Sequence, residues 1–559
     1  MATTKTTSTV TEPYRKRHKA LRSILETQGW KQHYKELVDY LQPRKGRFLI
    51  SDSLDEKRGA KKHGNIINGT AGEAIKIIAS GLQGGLTSPS RPWFVLTTAD
   101  DTLAELQPVR QWLHTLRNRM MYVFARSNFY GAVHNIYSEL APFGTAAMII
   151  DEDTTKVIRC RPFTIGEYVL GQNSQFSVDT LYRIIELTPW QMVDMFTFES
   201  CSKSVQTAYN NKSEKPVKIV HCIQPKQRGS MLRLPASMIY ESVYYEYHGT
   251  PDRFLRVKGY ADKPFVAPRW QVSGTNVYGD APGMDVLGDV KMLQSMEKKK
   301  LKALDKMVDP PMNAPSSMRA QGGTIVSGGV NYLDVQQGQQ GFTPVYQVKP
   351  DLQNMAFEID RVEKRIQRGF YNDLFLAIIN MDDRQRTATE IAKLYEEKAQ
   401  VLGPVLEGLQ SELLEPAINR TYNVMLRFGL VPPAPPELEG QDLKVDYISI
   451  LAQAQKAVGT VGIEKTIEFV GALASISPSV IDKFDADEAV DSYSVMVGVP
   501  PKIIRSNKDV AAIRQQRAQQ QQAMAMQEQL RNAAETAKTA SETPVGDKSM
   551  LEVVTGSPT

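Results

Sequence analysis

Residues 380–436 read NMDDRQRTATEIAKLYEEKAQVLGPVLEGLQSELLEPAINRTYNVMLRFGLVPPAPP. A polar run, Asn380 to Arg386, meets Thr387, and Glu390 follows three residues later. That is the spacing of a capping box, in which the Thr oxygen and the Glu carboxylate each satisfy an orphan backbone N–H. A helix is therefore predicted from Thr387. Ile391, Leu394, Tyr395, Leu402, Leu406, Leu409 and Leu413 recur three or four apart along it, while Lys393, Glu396, Glu397, Gln400 and Glu407 occupy the other face. Pro404 and Pro416 each remove a donor and crowd the preceding turn, so one long kinked helix is expected. Gly429 and the prolines at 432, 433, 435 and 436 stop it. Taken alone, such a stripe describes an ordinary core helix.

The 559 residues are too many for one core. With 42% hydrophobic and 23% charged residues the chain reads as globular, and its net charge of +5 is spread without a strongly basic block. That balance argues against a sequence-specific DNA binder built on a concentrated phosphate patch. No apolar run is long enough to span a bilayer and the N-terminus is polar, so no membrane and a cytoplasmic site of synthesis and assembly are expected. Cys160, Cys201 and Cys222 are too few and too far apart for a disulfide framework or zinc site.

Tyr14 to Leu41 predicts a helical hairpin or one broken helix, with Gly29 as the weak point. Thr70 with Glu73 predicts a second capping box, opening a helix that stops at Gly84 and Gly85. The glycines from Gly81 to Gly85 do not form a phosphate loop: no Gly-Lys-Ser/Thr follows, and they close a helix where such a loop opens one. A strand is expected near Trp93, then helices over Val109–Ala125 and Tyr130–Leu140. From Lys156 to Val272 short β-prone runs take over, with one helix at Pro189–Phe196. His221, Cys222 and His248 lie on apolar strands with no carboxylate or second thiol at ligand spacing, and are read as structural. Met284–Met307 and Leu352–Phe375 predict two long helices around a Gly/Gln-rich insert with short strands. The first carries six lysines against Glu297 and Asp305 over Lys291–Lys306; the second mixes both signs. Several short helices are expected over Asp442–Asp509, then a Gln/Ala-rich frayed helix and disorder.

Two stretches carry a resemblance. Arg386-Thr-Ala-Thr-Glu-Ile, Leu402-Gly-Pro-Val, Glu412-Leu-Leu-Glu-Pro and Arg427-Phe-Gly-Leu with the proline cluster form one; Gly81-Leu-Gln-Gly-Gly-Leu-Thr-Ser-Pro-Ser-Arg-Pro-Trp-Phe is the other, and more specific. Both resemble the portal proteins, the head-to-tail connectors of short-tailed bacteriophages, over roughly Tyr14 to Met496. The resemblance implies a mainly α, α+β portal fold: a disordered N-terminus (1–13), an α+β wing (14–280), stem helices (281–308 and 351–376) around a small β-containing clip (309–350), a tunnel loop (377–386), a kinked wing helix (387–436), a helical crown (437–510) and a partly disordered tail (511–559). It implies a dodecameric ring in the virion, at the capsid portal vertex, that packages and ejects DNA. The implied partners are double-stranded DNA passing non-specifically, the terminase packaging motor, a tail adaptor, and capsid and scaffold proteins. No enzymatic activity or cofactor is expected.

The residue-level expectations are narrower. Lys298, Lys299, Lys300 and Lys302, with Arg384 and Arg386, are candidates to face DNA, and Asn380, Met381, Asp382, Asp383 and Gln385 complete the candidate tunnel loop. A solvated helix face, a polar loop tip or ion pairs between subunits would account for the same cations. The alternative function is another non-catalytic phage structural component, such as a tail adaptor or scaffold. No nucleophile, base or metal cluster stands at a recognisable catalytic spacing.

Overall fold

The computed structural model describes residues 10–50, 64–100, 103, 106–226, 232, 234–249, 253–309, 312–313, 343–344, 351–379, 402–438, 443–448, 466–474, 483–497, 507–542, 544–545 and 548–549. Two units emerge. The larger comprises Met1–Val95, Thr115–Pro433 and Val445–Gly459; the other comprises Leu96–His114, Ala434–Lys444 and Thr460–Thr559. The architecture is mainly helical with antiparallel sheets.

In the larger unit, α1 (Glu12–Thr27) and α2 (Trp30–Tyr40) meet at Gly29, whose φ of 81° only glycine adopts readily. Helix α3 (Thr70–Leu86) differs from its expected ends. Gly69 is the N-cap, and Asn68 Oδ1 accepts from both Thr70 N (3.0 Å) and Thr70 Oγ1 (2.7 Å), so the Thr70/Glu73 box does not form. Helix α3 ends at Leu86, one residue past the expected stop at Gly84 and Gly85. Strand β1 (Phe94–Thr98) follows; Trp93 and Phe94 pack with Phe124 and Phe129 of α4 (Gln107–Arg126) and α5 (Phe129–Phe143) in an aromatic cluster. Trp93 and Phe94 of the Arg-Pro-Trp-Phe stretch thus anchor the core, while Arg91 and Pro92 are exposed.

Two sheets come next. Strands β2 (Ala147–Asp153), β3 (Val157–Phe163) and β9 (Phe265–Val266) form one, in order β3-β2-β9. Strands β4 (Tyr168–Gln172), β5 (Val178–Leu187), β6 (Val217–Pro225), β7 (Tyr240–Glu246) and β8 (Arg256–Tyr260) form a five-stranded antiparallel meander. Its central strands are apolar on both faces because both are covered. Val169, Tyr182, Val220, Cys222, Val243 and Tyr245 gather with Tyr14 of α1. On the reverse, Ile219 and Tyr244 pack with Met192 and Phe196 of α6 (Pro189–Phe196) and Val205 of α7 (Lys203–Asn210). Thr188 and Gln191 complete a capping box at α6. His221 is a core residue: its Nδ1 accepts from Arg183 Nε (3.1 Å), Nε2 lies 2.9 Å from Ser242 Oγ, and burial keeps its pKa well below the usual histidine range.

Buried carboxyls under this sheet give one pH dependence. Glu139 bonds Lys45 at 2.9 Å, and burial, reinforced by Glu139, raises Glu167 to about 7 against the pull of Arg183. A raised carboxyl binds its proton more tightly in the folded state, so stability falls as pH climbs from the unfolded value near ~4.3 towards 7. Glu167→Gln is expected to stabilise the protein by on the order of 2 kcal/mol at pH 8 and hardly at all at pH 4. Urea unfolding at both values checks it; an equal effect at both would contradict the shift.

Helix α8 (Leu287–Val308) follows a turn at Pro282–Asp285, and α9 (Leu352–Gly369) begins with Asp351 accepting from Asn354 N at 3.0 Å. The predicted single helix Leu352–Phe375 is instead broken. Tyr371 adopts φ 56°, and α10 (Asn372–Ile379) starts beyond it, laid on α3 where Phe375 occupies the space a Gly81 side chain would need. Thr387 and the start of the predicted kinked helix lie outside the described residues. Its described part, α11 (402–427), departs from α geometry in a π turn at Gln410–Leu414. Pro416 explains the position: with no N–H it cannot bond the Glu412 carbonyl four residues back, and the ladder loosens there. Gly429, at φ 66°, ends α11 as expected, with Leu430 N on Met425 O (2.9 Å) and Gly429 N on Leu426 O (3.0 Å) in a Schellman pattern.

In the smaller unit, α12 (Ala486–Val497) is tied to α13 (Asn507–Glu542) by Arg514, whose two terminal nitrogens reach Asp487 at 2.6 and 2.7 Å. The frayed tail expected beyond residue 511 is, as far as Glu542, continuous helix. Its Ala, Gln, Glu, Arg and Met content favours helix even without an apolar stripe. Leu443–Tyr447, ahead of the first helix expected in this region, is a strand.

Candidate functional site

Helices α8 and α9 run antiparallel. Val286, just before α8, meets Gly369 at the end of α9, where a Cβ would lie 2.2 Å from Val286 Cγ1; Arg365 then bonds Asp289 at 2.9 Å. Their shared core is short. Leu287, Val290 and Leu293 bury the first two turns of α8, and Ile359, Val362 and Ile366 the far half of α9. Asn68 ties the pair to α3: its Nδ2 donates to Glu363 (2.6 Å) and Glu297 (3.3 Å), while Gln294 Nε2 donates to its carbonyl (2.9 Å).

Beyond that core both helices, among the described residues, expose large apolar side chains. Leu301, Met307, Val308 and Phe357 are exposed, Val308 at 85%. Lys298, Lys299 and Lys302 are exposed beside them, whereas Lys300 turns to Glu297, 3.7 Å away. At about 100° per residue the first three share one side of α8 and Lys300 points elsewhere, so the four expected lysines divide into three and one. Residues 308 and 352 lie at the same end of the pair, and the insert between them is drawn together at its base by Met312–Asn313 pairing antiparallel with Thr343–Pro344. The rest of the insert, together with Asn380, Met381, Asp382, Asp383, Arg384, Gln385 and Arg386, lies outside the described residues.

A second cluster, unforeseen from sequence, locks α11 in place. Arg420, 2% exposed, bonds Asp262 Oδ1 (2.5 Å), Glu152 Oε1 (3.4 Å) and the Ile150 carbonyl (3.3 Å), with its guanidinium over the Tyr260 ring. Arg427 reaches the same two carboxylates and Asn423 supports Asp262. One signal existed: Arg420 stands in the apolar register of Leu413, Ala417 and Val424, where a cation requires buried partners. Among the described residues no group of three or more acidic, His or Cys side chains is placed to hold a metal, and no helix is long and apolar enough to cross a membrane.

The described fold is an α+β body carrying an antiparallel helix pair that exposes apolar side chains at its far end among the described residues. Residues 12–504 match the model of the bacteriophage head to tail connecting protein family, and the chain belongs to that family. It is 40% identical over 514 residues to a "Probable portal protein" of Bordetella phage BPP-1, covering 92% of each chain. It is 39% identical over 533 residues to the "Portal protein" of Salmonella phage epsilon15, covering 95% of each. Among solved structures, a chain from the virion of a native gene transfer agent particle aligns with TM-score 0.34 and 10% identity over 77% of this chain and 90% of that one, too distant to bear on detail.

Proposed function

We propose that the protein is the portal of a tailed phage: a ring at one capsid vertex through which double-stranded DNA enters during packaging and leaves during ejection. The observation that carries this reading is near-full-length identity of about 40% to the two portal proteins. In this reading residues 14–280 with 387–436 form the wing, α8 and α9 the stem, 309–350 a clip on which the terminase motor and then the tail adaptor dock, and 437–510 the crown. The apolar side chains exposed at the end of the helix pair, among the described residues, support it. Leu301, Met307, Val308 and Phe357 are costly in water at roughly 25 cal/mol per Å² and would be covered by the next copy around a closed ring.

DNA must pass without being held. A ring of lysines binds phosphate and releases counterions, so an all-basic lining would brake a sliding duplex; interspersed signs like those of α9 give shallow contacts. Lys298, Lys299 and Lys302 are the described candidates for those contacts, and Arg384 and Arg386 the candidates outside the described residues. Native mass measurement tests the assembly: a species near twelve times 62.5 kDa is expected, and a monomer at micromolar concentration would refute the ring. Lys298→Ala/Lys299→Ala/Lys302→Ala is expected to leave that mass unchanged and alter DNA packaging or retention. Loss of the ring would instead place these lysines against acids such as Glu358 and Asp360 of a neighbouring copy. Arg384→Ala/Arg386→Ala is expected to behave in the same way as the triple lysine variant.

A further inference from the structure

Helix α4 and the described part of α11 are opposite in charge. The 20 residues of α4 include four arginines and no carboxylate, whereas residues 402–419 include Glu407, Glu412 and Glu415 and no basic residue. Where α4 lies in the larger unit, Arg119, Tyr122 and Arg126 recur at helical spacing on one side and all three are exposed, Tyr122 at 64%. Glu407, Ser411 and Glu415 recur along the exposed side of α11. The apolar stripes set these directions: Leu116, Met120 and Val123 of α4, and Leu406, Leu413 and Ala417 of α11, are buried and turn the charged sides outward.

Neither side is satisfied within one copy. Among the described residues Arg126, Glu407 and Glu415 make no ion pair or hydrogen bond, and Arg119 donates only to the Leu430 carbonyl, at 2.9 Å. That bond holds Arg119 beyond the C-terminal end of α11, while Glu415 stands about 18 Å back along the helix and Glu407 about 12 Å further. The two sides nevertheless match in length. Arg119 and Arg126 are about 10 Å apart along α4, against about 12 Å for the two glutamates, a difference the flexible arginine stems absorb. Tyr122 lies between the cations as Ser411 lies between the carboxylates.

A closed ring needs heterologous contacts, in which each copy offers one face to the copy before it and a different, complementary face to the copy after it. We infer that Arg119, Tyr122 and Arg126 of one copy dock on Glu407, Ser411 and Glu415 of the next. This rests on the ring reading above. Apolar cover at the end of α8 and α9 has no direction, whereas paired signs fix the alignment of neighbours, because a slipped neighbour sets like charges together. An acidic segment of another protein, or DNA phosphate, would suit α4 alone and leaves the acidic side of α11 without a role.

The test exchanges the signs in the full chain. Arg119→Glu/Arg126→Glu makes both sides acidic, and Glu407→Lys/Glu415→Lys makes both basic. Either protein alone is expected to need at least about tenfold more protein to form the ring, since each exposed pair turns from weakly attractive to repulsive. An equal mixture is expected to assemble at the parent's concentration with the two proteins alternating, which native mass reads when one carries a heavy isotope. Parent-like assembly by each alone, or no recovery on mixing two folded variants, would overturn the inference. Where a reversed variant does not fold, a second measurement decides. Tyr122→Cys chains co-assembled with Ser411→Cys chains are expected to be joined in pairs by a short bis-maleimide, and neither variant alone, since Cys160, Cys201 and Cys222 are buried. Intact mixed rings without that pair would overturn the inference equally. A parent chain that forms no ring would instead refute the portal reading, so the two failures are distinguishable.

Discussion

Arg420→Ala is expected to destabilise the larger unit by about 3 to 5 kcal/mol, the range for removing one partner of a buried ion pair. The guanidinium is almost wholly desolvated; its removal opens a cavity, takes one of two arginines from Asp262 and Glu152, and leaves the Ile150 carbonyl without that donor. Coulomb attraction alone does not set this figure, since desolvating the arginine has already offset much of it; the loss comes from the cavity and from the hydrogen bonds that Arg427, on the outside, does not replace. Arg427→Ala is the control. Arg427 touches the same carboxylates from a side chain 36% exposed, and its loss should cost less than ~1 kcal/mol. Denaturant midpoints of the two variants decide it: equal costs would mean that Arg420 contributes no more than a surface pair.

Gly144→Ala is expected to be as severe for a different reason. Gly144 ends α5 at φ 68°, and a Cβ there would sit 2.2 Å from the Gly279 carbonyl oxygen and 2.7 Å from Asp280. Backbone cannot swing aside as a side-chain tip can, and both partners are fixed, with Gly279 N bonded to Thr145 Oγ1 at 2.8 Å. Overpacking plus a left-handed alanine should together cost about 4 kcal/mol. Gly274→Ala separates the contributions: Gly274 has φ 60° and nothing within 4 Å of its Cβ position, so only the conformational cost of about 1 kcal/mol remains. Thermal melting that ranked the two alike would place the penalty in φ and not in the contact.

Both sites show how far local pattern reaches. Helix α6 has the expected bounds because Thr188, Pro189 and Gln191 write its start within four residues, and Gly29 and Gly429 mark breaks through a conformation other residues resist. Where two signals competed, pattern failed. Thr70 and Glu73 have capping-box spacing, yet Asn68 takes the role because Glu297 and Glu363 hold its side chain and Gln294 its backbone from more than 220 residues away. The break at Tyr371 had no signal of its own, since α10 turns to fill the space that Gly81 leaves, which no reading of residues 352–375 contains.

By itself, then, the sequence determined the element types, the family and the lysine-rich character of α8, because periodicity, capping spacing and motif order are local properties of the chain. Tertiary structure alone decided that α10 turns away at Tyr371 to fill the space Gly81 leaves, that Asn68 takes the start of α3 from Thr70, and that Arg420 finds Asp262 and Glu152. Each depends on groups brought together across long loops, where partner identity is set by packing and desolvation and leaves no spacing to read.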